Sequence, residues 1–391
     1  MRRGHALLMA QDTIRPNIQG LAPYSPGLSI GEIAQKYDLP RVIKLASNEN
    51  PLGAPPMAQA AIRRAAPEAF RYPQAGNPRL AQALAEAHFV PRERIFIGNG
   101  SDEIIDLLMR VLACPGRHNI VASRPCFGIY PVQAAIGGIE LRQCPLREGF
   151  EPDFAGLLRL VDENTRLLFM TTPDNPSGYC PLASEVADFA HELARLAPGC
   201  LLALDEAYVD FAGADPASQR EYSLLDSGRW KEHGNIVFVR TFSKSYGLAG
   251  VRLGYAVAPP AIAEACWKAR LPFSVNILAE AAGLAALADF GFRQSSLETV
   301  RSGRGQLADG LAALGCQVWP SQANFIMFQP PQDGPEAPAI FQALLERGVI
   351  IRALGSYDLP GHLRVSVGTA GENEIFLRNL AAILASGEHG K

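Results

Sequence analysis

Short apolar segments rich in β-branched residues alternate with longer segments of helical period through the middle of the chain. This alternation is typical of βαβ units, which build a mostly parallel sheet covered by helices. The helices predicted between the strands include Glu103–Ala113, Ala183–Leu196 and Ala261–Ala269. The predicted strands are Ile95–Ile97, Ile120–Ser123, Leu167–Thr171, Leu201–Leu204, Ile236–Arg240 and Gly254–Val257. We therefore expect a large central domain of the α/β class.

The pattern changes near residue 290, where one long helix, Phe292–Leu314, is followed by shorter elements. These are the strands Gln317–Trp319, Phe325–Phe328, Val349–Ile351 and Leu363–Ser366 and the helices Ala337–Arg347 and Glu372–Ala385. Mixed short elements of this kind favour an α+β domain. We predict a proline-rich N-terminal arm over residues 1–46 that partly joins the small domain, a large domain over 47–290 and a small C-terminal domain over 291–391.

Composition narrows the possible functions. Of the 391 residues 48% are apolar and 19% charged, which is typical of a folded globular protein. A net charge of -3 provides no basic field for nucleic acid or for an anionic membrane surface, which leaves small molecules as the expected partners. The first apolar run is too short for a signal peptide, and no segment approaches the roughly 20 apolar residues of a membrane span.

The seven cysteines are scattered and never form a CxxC pair. This spacing argues against a disulfide framework and against a zinc site, and it favours a reducing compartment. We therefore predict a cytoplasmic protein that holds no metal.

Lysine is scarce, and only one lysine directly follows an apolar strand. Lys244 lies in Thr241-Phe242-Ser243-Lys244-Ser245-Tyr246-Gly247, where ligands of open α/β sheets collect. A lysine that forms a Schiff base needs apolar or cationic neighbours that make its neutral form accessible. Arg252 follows eight residues later with apolar residues between, which favours a reactive amine over a solvated surface charge.

Two further strand ends carry candidate ligands. Asp205 closes the apolar run before Glu206-Ala207-Tyr208, where a carboxylate is suited to pair with a pyridinium nitrogen and a tyrosine to bond a phenolic oxygen. The alternative is that Asp205 caps a turn. Gly98-Asn99-Gly100-Ser101-Asp102 joins a strand to a helix start, which predicts an anion site, although an ordinary capped turn has the same pattern.

Two weaker signals complete the set. The loop Thr171-Thr172-Pro173-Asp174-Asn175-Pro176-Ser177-Gly178 follows a strand and presents Asn175 to a ligand, yet such loops are commonly plain turns. Arg364 lies in an alternating strand, where it is able to bind carboxylate or phosphate bidentately or simply to face solvent.

Taken together and in this order, these motifs resemble the fold-type I aminotransferases, the aspartate aminotransferase superfamily, over nearly the whole chain. Within it the chain most resembles the histidinol-phosphate aminotransferase family. That resemblance rests on Leu21-Ala22-Pro23-Tyr24, the segment 43–53 (IKLASNENPLG), Arg71-Tyr72-Pro73 and the segment 240–254 (RTFSKSYGLAGVRLG). It implies a pyridoxal 5′-phosphate (PLP) enzyme that is active as a homodimer.

The resemblance also implies a role for each candidate residue. Lys244 would bind PLP covalently and shuttle protons, Asp205 would pair with the pyridine nitrogen, and Asn175 and Tyr208 would bond the ring's O3′. Phe127 would stack on the ring. The phosphate would be held by Ser101, Asp102, Ser243 and Arg252, with Tyr72 from the second subunit. The anionic end of the substrate would meet Tyr24, Asn175, Arg352 and Arg364.

The chain departs from the family pattern in two places. Asp174 and Ser177 flank Asn175-Pro176 where the family commonly has NPNNPTG, and Phe127 stands where many relatives have tyrosine. The first change leaves Asn175 in place. The second keeps a stacking ring and removes a hydroxyl contact.

Other functions stay open at this point. An aromatic amino-acid aminotransferase and a threonine-phosphate decarboxylase of the same superfamily would share the cofactor residues. A regulatory module that binds PLP without catalysis should carry a basic DNA-binding domain, for which residues 1–45 are too short and too rich in proline. A nicotinamide-dependent enzyme is disfavoured, since no GxGxxG motif follows a strand.

Overall fold

The computed structural model describes residues 13–21 and 28–386. In these ranges the strands are β1 Ile43–Lys44, β2 Ile95–Gly98, β3 Asn119–Arg124, β4 Glu140–Pro145, β5 Thr165–Thr171, β6 Leu201–Asp205, β7 Ile236–Thr241, β8 Gly254–Val257, β9 Gln317–Val318, β10 Phe325–Gln329, β11 Val349–Ile350, β12 Arg352–Ala353 and β13 Leu363–Ser366. The α-helices are α1 Pro16–Gln19, α2 Ile30–Tyr37, α3 Pro56–Ala65, α4 Pro78–Ala87, α5 Ser101–Leu112, α6 Ile129–Gly137, α7 Phe154–Arg159, α8 Ala183–Leu196, α9 Pro216–Gln219, α10 Pro260–Ala269, α11 Ile277–Ala288, α12 Phe290–Ala313, α13 Ala337–Glu346 and α14 Ala370–Ser386.

The central element is a seven-stranded sheet in the order β2-β8-β7-β6-β5-β3-β4. Its neighbouring strands pair in parallel except at β8, which runs antiparallel to both β2 and β7. Helices join the parallel strands, as the crossover connections of such a sheet require. The predicted α/β class with a mostly parallel sheet is confirmed.

Helices cover both faces of this sheet, and each face has its own apolar cluster. Val121 and Leu168 belong to one cluster, whereas their chain neighbours Ile120, Leu167 and Phe169 belong to the other. Because successive side chains of a strand point to opposite faces, a sheet covered on both sides needs apolar residues at every position. This is why the strands are continuous apolar runs in the sequence.

The edge strand β4 was not predicted from the sequence. Among the described strands it pairs only with β3, in parallel, and its residues Glu140, Arg142 and Gln143 are polar. Charged and polar side chains are common on edge strands, where they discourage pairing with other chains. The strand therefore lacks the apolar run that marks the interior strands.

The C-terminal region forms a second, antiparallel sheet in the order β12-β13-β10-β9. Beside it, β1 pairs in parallel with β11, with Ile43 opposite Val349. Ile33 of α2 also packs in a small apolar cluster with Leu345 and Ile350. These contacts support the proposal that the N-terminal arm joins the small domain, whose boundaries stay predictions.

The topology brings several strand ends to one edge of the large sheet. Thr171 at the end of β5 lies in register with Asp205 at the end of β6, and Asp205 lies in register with Val239 of β7. Lys244 follows the end of β7 by three residues. Since these strands are parallel, their carboxyl ends face the same crevice.

Candidate active site

A cavity of about 280 Å³ lies at this edge, between the large sheet, residues 46–49 and the antiparallel sheet. Of the predicted site residues that the structure describes, all but Tyr72 line this cavity. The lining residues are Ser101, Asp102, Phe127, Asn175, Asp205, Tyr208, Ser243, Lys244, Arg252, Arg352 and Arg364. The structure therefore places in one cavity residues that are up to 263 positions apart in the sequence.

Lys244 is held in place by contacts to its backbone and to its amine. The side-chain amide of Asn50 donates to the carbonyl oxygens of Lys244 and Ser245, both at 3.1 Å. The Lys244 Nζ donates to the carbonyl of Ser47 at 3.1 Å. Burial, with the nearby Arg364 cation, lowers the pKa of Lys244 to about 8. A substantial fraction of the amine is thus neutral near physiological pH, as a nucleophile or a general base requires.

Asp205 is a buried carboxylate on the cavity wall. Its Oδ2 accepts a hydrogen bond from the Tyr130 hydroxyl at 3.0 Å, and its Oδ1 accepts one from the backbone N–H of Ala207 at 3.2 Å. No cation within the described residues forms an ion pair with it at 4.0 Å or less. Burial raises the pKa of Asp205 to about 6. A cationic ring N–H at this position would supply the missing charge.

Tyr208 and Asn175 form the side of the cavity next to Arg364. The Tyr208 hydroxyl accepts from the amide of Asn48 at 3.1 Å and from that of Asn175 at 3.5 Å. The side-chain Oδ1 of Asn175 accepts from Arg364 Nη1, and Arg364 Nη2 donates to the backbone carbonyl of Ala46 at 2.9 Å. These contacts fix the Asn175 amide with its N–H groups toward Tyr208, in position to donate to a phenolic oxygen.

Arg364 is 5% exposed, and no carboxylate of the described residues lies within ion-pair distance of it. Its Nε has no hydrogen-bond partner within the same part of the chain. A buried charge without a counter-ion is costly, so this guanidinium is suited to an anionic ligand. Arg352 lines the same end of the cavity.

The opposite end is suited to a phosphate. Helix α5 begins at Ser101, and the backbone N–H groups of a first helical turn have no partners inside the helix. Arg252 lies beside this turn, where its Nη2 donates to Asp102 Oδ2 at 3.1 Å. Gly100 has φ +83°, and a Cβ there would lie 2.5 Å from Arg252 Nη2, so the glycine makes the approach of this cation possible. Ser243 adds a hydroxyl to the same lining.

These features fit PLP. An unpaired carboxylate would face the ring nitrogen, a half-buried amine would meet the aldehyde, and a helix start with a neighbouring arginine would bind the phosphate. Phe127 lines the cavity and is free to stack on a ring. Among the described residues there is no cluster of side chains suited to a metal ion.

Comparison with known proteins decides the family. The model of the family "Aminotransferase class I and II" matches residues 40–380. The chain belongs to the class I and II aminotransferases. This assignment confirms the predicted enzyme class.

Curated relatives match this aminotransferase over nearly the whole of both chains. A histidinol-phosphate aminotransferase of Nitratidesulfovibrio vulgaris (strain Hildenborough) is 54% identical over 373 residues, which cover 95% of this chain and 97% of the relative. A histidinol-phosphate aminotransferase of Oleidesulfovibrio alaskensis is 50% identical, with 98% of each chain covered.

Solved structures show the same fold. Histidinol-phosphate aminotransferase from Sinorhizobium meliloti, in complex with PLP, superposes with a TM-score of 0.84 at 29% identity, covering 96% of this chain and 98% of that one. An aspartate aminotransferase double mutant from Thermus thermophilus superposes with a TM-score of 0.80 at 24% identity, covering 95% and 99%. The fold-type I assignment of this aminotransferase is confirmed.

The cavity lining of this aminotransferase does not include Tyr72, whereas Tyr24 lies outside the described residues. Tyr72 is 81% exposed and stacks on Phe273, with ring centroids 4.8 Å apart. Its predicted place in the site of a second subunit stays a prediction.

Sequence reasoning missed other residues of the cavity. Asn48 bonds the Tyr208 hydroxyl, and Ser47 accepts from Lys244, although the segment 43–53 served only for the resemblance. Tyr130 is not part of the cavity lining but donates to Asp205 from helix α6, and no strand-end pattern marks it. Tyr357 lines the cavity from a connection between β12 and β13.

Proposed function

We propose that this aminotransferase transfers an amino group between L-histidinol phosphate and 2-oxoglutarate, with imidazole-acetol phosphate and glutamate as the products, as a step of L-histidine biosynthesis. Its cofactor is PLP. The proposal is supported by the relatives of that name at 54% and 50% identity over nearly the whole chain.

One arrangement in the cavity carries the proposal. Lys244, whose amine has a lowered pKa, lines the same cavity as Asp205 and Arg364. Among the described residues, no cation lies within ion-pair distance of the buried Asp205 carboxylate and no carboxylate lies within that distance of the buried Arg364. A cofactor with a cationic ring and an aldehyde would meet the first two. A substrate with an anionic group would meet the third.

The cofactor would be held by groups from several elements. Its ring would lie against Phe127 with its nitrogen on Asp205 and its O3′ on Asn175 and Tyr208. Its phosphate would bind the backbone N–H groups of Ser101 and Asp102, the Ser243 hydroxyl and Arg252, with Tyr72 added by a second subunit.

Bound PLP supplies an electron sink for the charge that develops at the substrate Cα. Side chains of the protein transfer and hold the protons. Lys244 would hold the cofactor aldehyde, and its free amine would act as the general base for the proton at the substrate Cα. Asp205 would hold the ring nitrogen, and its negative charge would favour the protonated form of that nitrogen.

The two substrates place different anions at the same end of the cavity. Histidinol phosphate presents a phosphate where glutamate presents its α-carboxylate. Arginine binds both groups bidentately through its planar guanidinium. Arg364, supported by Arg352 and by Tyr24 of the arm, is therefore suited to both half-reactions.

We also propose that the enzyme is a homodimer. Four apolar side chains of one region are strongly exposed in the single chain, which favours burial against a second copy. They are Phe70 at 74%, Tyr72 at 81%, Leu271 at 68% and Phe273 at 42%. A second copy at this surface would bring Tyr72 to its partner's cofactor site.

We place the enzyme in the cytoplasm. All seven cysteines are free thiols, although Cys144, Cys180 and Cys200 are among five that are buried, which fits a reducing compartment. In the part of the chain that the structure describes, no helix has the length and apolar character needed to cross a bilayer.

A half-reaction assay tests the substrate. The PLP-loaded enzyme is mixed separately with histidinol phosphate, phenylalanine, phosphothreonine and glutamate, and the change of cofactor absorbance from aldehyde to amine form is followed. We expect fast conversion with histidinol phosphate and with glutamate. Conversion by phenylalanine alone would indicate an aromatic aminotransferase, and CO₂ release from phosphothreonine a decarboxylase. A cofactor that stays unchanged with all four would indicate a binding module.

A further inference from the structure

Tyr130 is a fully buried tyrosine next to the cofactor site, and it is not one of the residues that line the cavity. It lies in the first turn of α6, and its side chain is 1% exposed. Its hydroxyl lies 2.8 Å from Thr171 Oγ1 and donates to Asp205 Oδ2 at 3.0 Å. Thr171, Tyr130 and Asp205 thus form a chain of hydrogen bonds that ends at the cavity wall.

The direction of these hydrogen bonds follows from the negative charge of Asp205, where they end. An ionised carboxylate only accepts, so the Tyr130 O–H donates to Asp205 and its oxygen is left to accept from Thr171. Each bond polarises the next, which strengthens the final bond to the carboxylate. The backbone N–H of Ala207 holds the other carboxylate oxygen, so Asp205 is fixed through both of its oxygens.

Tyr130 also contacts Phe127, the residue that is predicted to stack on the cofactor ring. Its ring meets Phe127 edge-on, with centroids 5.8 Å apart and planes at 89°, and it stacks on Phe169 at 4.6 Å. The ring is thereby fixed between the strand β5 and the residue expected to cover the cofactor. We propose that Tyr130 is a positioning residue that keeps Asp205 ionised and oriented toward the cofactor ring.

The surroundings of Asp205 show why such a donor matters. Burial raises the pKa of Asp205, and the Tyr130 hydrogen bond is the largest effect that lowers it. The other titratable groups that act on Asp205 are Asp102, which raises its pKa, and Lys244, which lowers it. Tyr208 is coupled to Asp205 in turn, and Cys126 lies near Tyr130. Without the Tyr130 donor the carboxyl would be protonated at a higher pH.

The test measures PLP binding to the apoprotein, and it rests on the proposed function only in taking PLP as the ligand. The dissociation constant of PLP is measured from pH 5.5 to 8.5 for the wild type and Tyr130→Phe, which keeps the ring and removes the donor. Tyr255→Phe is the matched control, since that hydroxyl is equally buried but bonds His88 at 2.7 Å. Should Tyr130→Phe fail to fold, Thr171→Val tests the hydrogen bond between Thr171 and the Tyr130 hydroxyl.

Affinity for PLP falls when Asp205 becomes protonated, so the midpoint of this fall reports its ionisation. In Tyr130→Phe we expect the midpoint to move up by about one pH unit, so that the dissociation constant rises nearly tenfold at pH 5.5, below both midpoints, and about twofold at pH 7. Thr171→Val should shift both in the same direction by less. Tyr255→Phe should match the wild type.

A midpoint in Tyr130→Phe equal to that of the wild type would overturn the proposal, whatever the change in affinity. An equal upward shift in Tyr255→Phe would overturn it as well. In an Asp205→Asn background, Tyr130→Phe should change the affinity by less than about twofold, because the ionisable partner is gone. A wild-type apoprotein that bound no PLP would overturn the proposed function together with this role.

Discussion

The two ends of the active-site cavity are built from different kinds of structure. The cofactor end uses the ends of adjacent parallel strands, with Asp205 closing β6 and Lys244 following β7. The substrate end is assembled from distant segments, among them residues 46–49, Arg352 of β12 and Arg364 of β13. One sheet therefore fixes the groups that handle the cofactor, whereas the packing of two sheets and the arm sets the groups that meet the substrate.

This difference predicts a division of labour. Changes at the cofactor end should act on catalytic turnover, because they alter groups that move protons or hold charge. Changes at the substrate end should act mainly on substrate affinity and on the choice between anions.

Replacement of Lys244 by alanine should lower kcat by at least about 10⁴-fold, because both the covalent anchor and the general base are lost. The variant should still bind PLP non-covalently through the remaining contacts. Steady-state turnover and equilibrium dialysis of PLP measure the two effects. Lys231→Ala is the control, since this exposed lysine lies outside the cavity, and its kcat should equal that of the wild type. Turnover within tenfold of the wild type in Lys244→Ala would contradict the assignment.

Replacement of Asp205 by asparagine should lower kcat about 10- to 100-fold, the usual value of a hydrogen bond to a charged group. The loss should fall on kcat rather than on KM. Asp174→Asn is a matched control, because burial also raises the pKa of Asp174 to about 6, yet its side chain bonds Ser177 and is not part of the cavity lining. Its kcat should stay within about twofold. An equal loss in both variants would point to a general effect of buried carboxylates.

At the substrate end, Arg364→Lys should raise KM for histidinol phosphate and for glutamate, with kcat/KM about 10- to 100-fold lower, since lysine does not reproduce the bidentate contact. Arg352→Lys should lower kcat/KM by less, about 2- to 10-fold. Initial-rate kinetics with each substrate checks both. A fall in kcat with an unchanged KM in Arg364→Lys would contradict the expectation that the substrate end controls substrate affinity.

The smallest effect links the two ends. Because only the neutral amine attacks the aldehyde, the rate at which apoprotein captures PLP should rise with pH about tenfold per unit and level off above about 8, the lowered pKa of Lys244. Arg364 contributes to this lowering, so Arg364→Gln should move the midpoint upward by less than about one unit. Stopped-flow absorbance across pH measures the profile. A downward shift would contradict the proposed coupling.

The sequence predicted the cofactor end more fully than the substrate end, for physical reasons. Lys244, Asp205 and Asn175 follow apolar strands, and the carboxyl ends of parallel strands meet at one edge whatever the helices do. Nothing in the local pattern places Arg364 opposite Asn175, since that contact depends on how the antiparallel sheet packs against the large one.

Other features were invisible because they lie on elements without a distinctive local pattern. Tyr130 occupies an apolar helix, where a buried aromatic residue is the ordinary case. Strand β4 lies at the edge of the sheet and carries polar residues, so it resembled a connection. Asn48 is buried, although its segment contains several polar residues in a row.

The most direct test of the account asks which residue holds the cofactor. The PLP-loaded wild type is reduced with borohydride and digested, and the mass of the reduced cofactor is located by peptide mass spectrometry. The account predicts a single modified peptide that carries the added mass on Lys244. Modification of a different lysine, or an unmodified protein that still turns over histidinol phosphate, would contradict it.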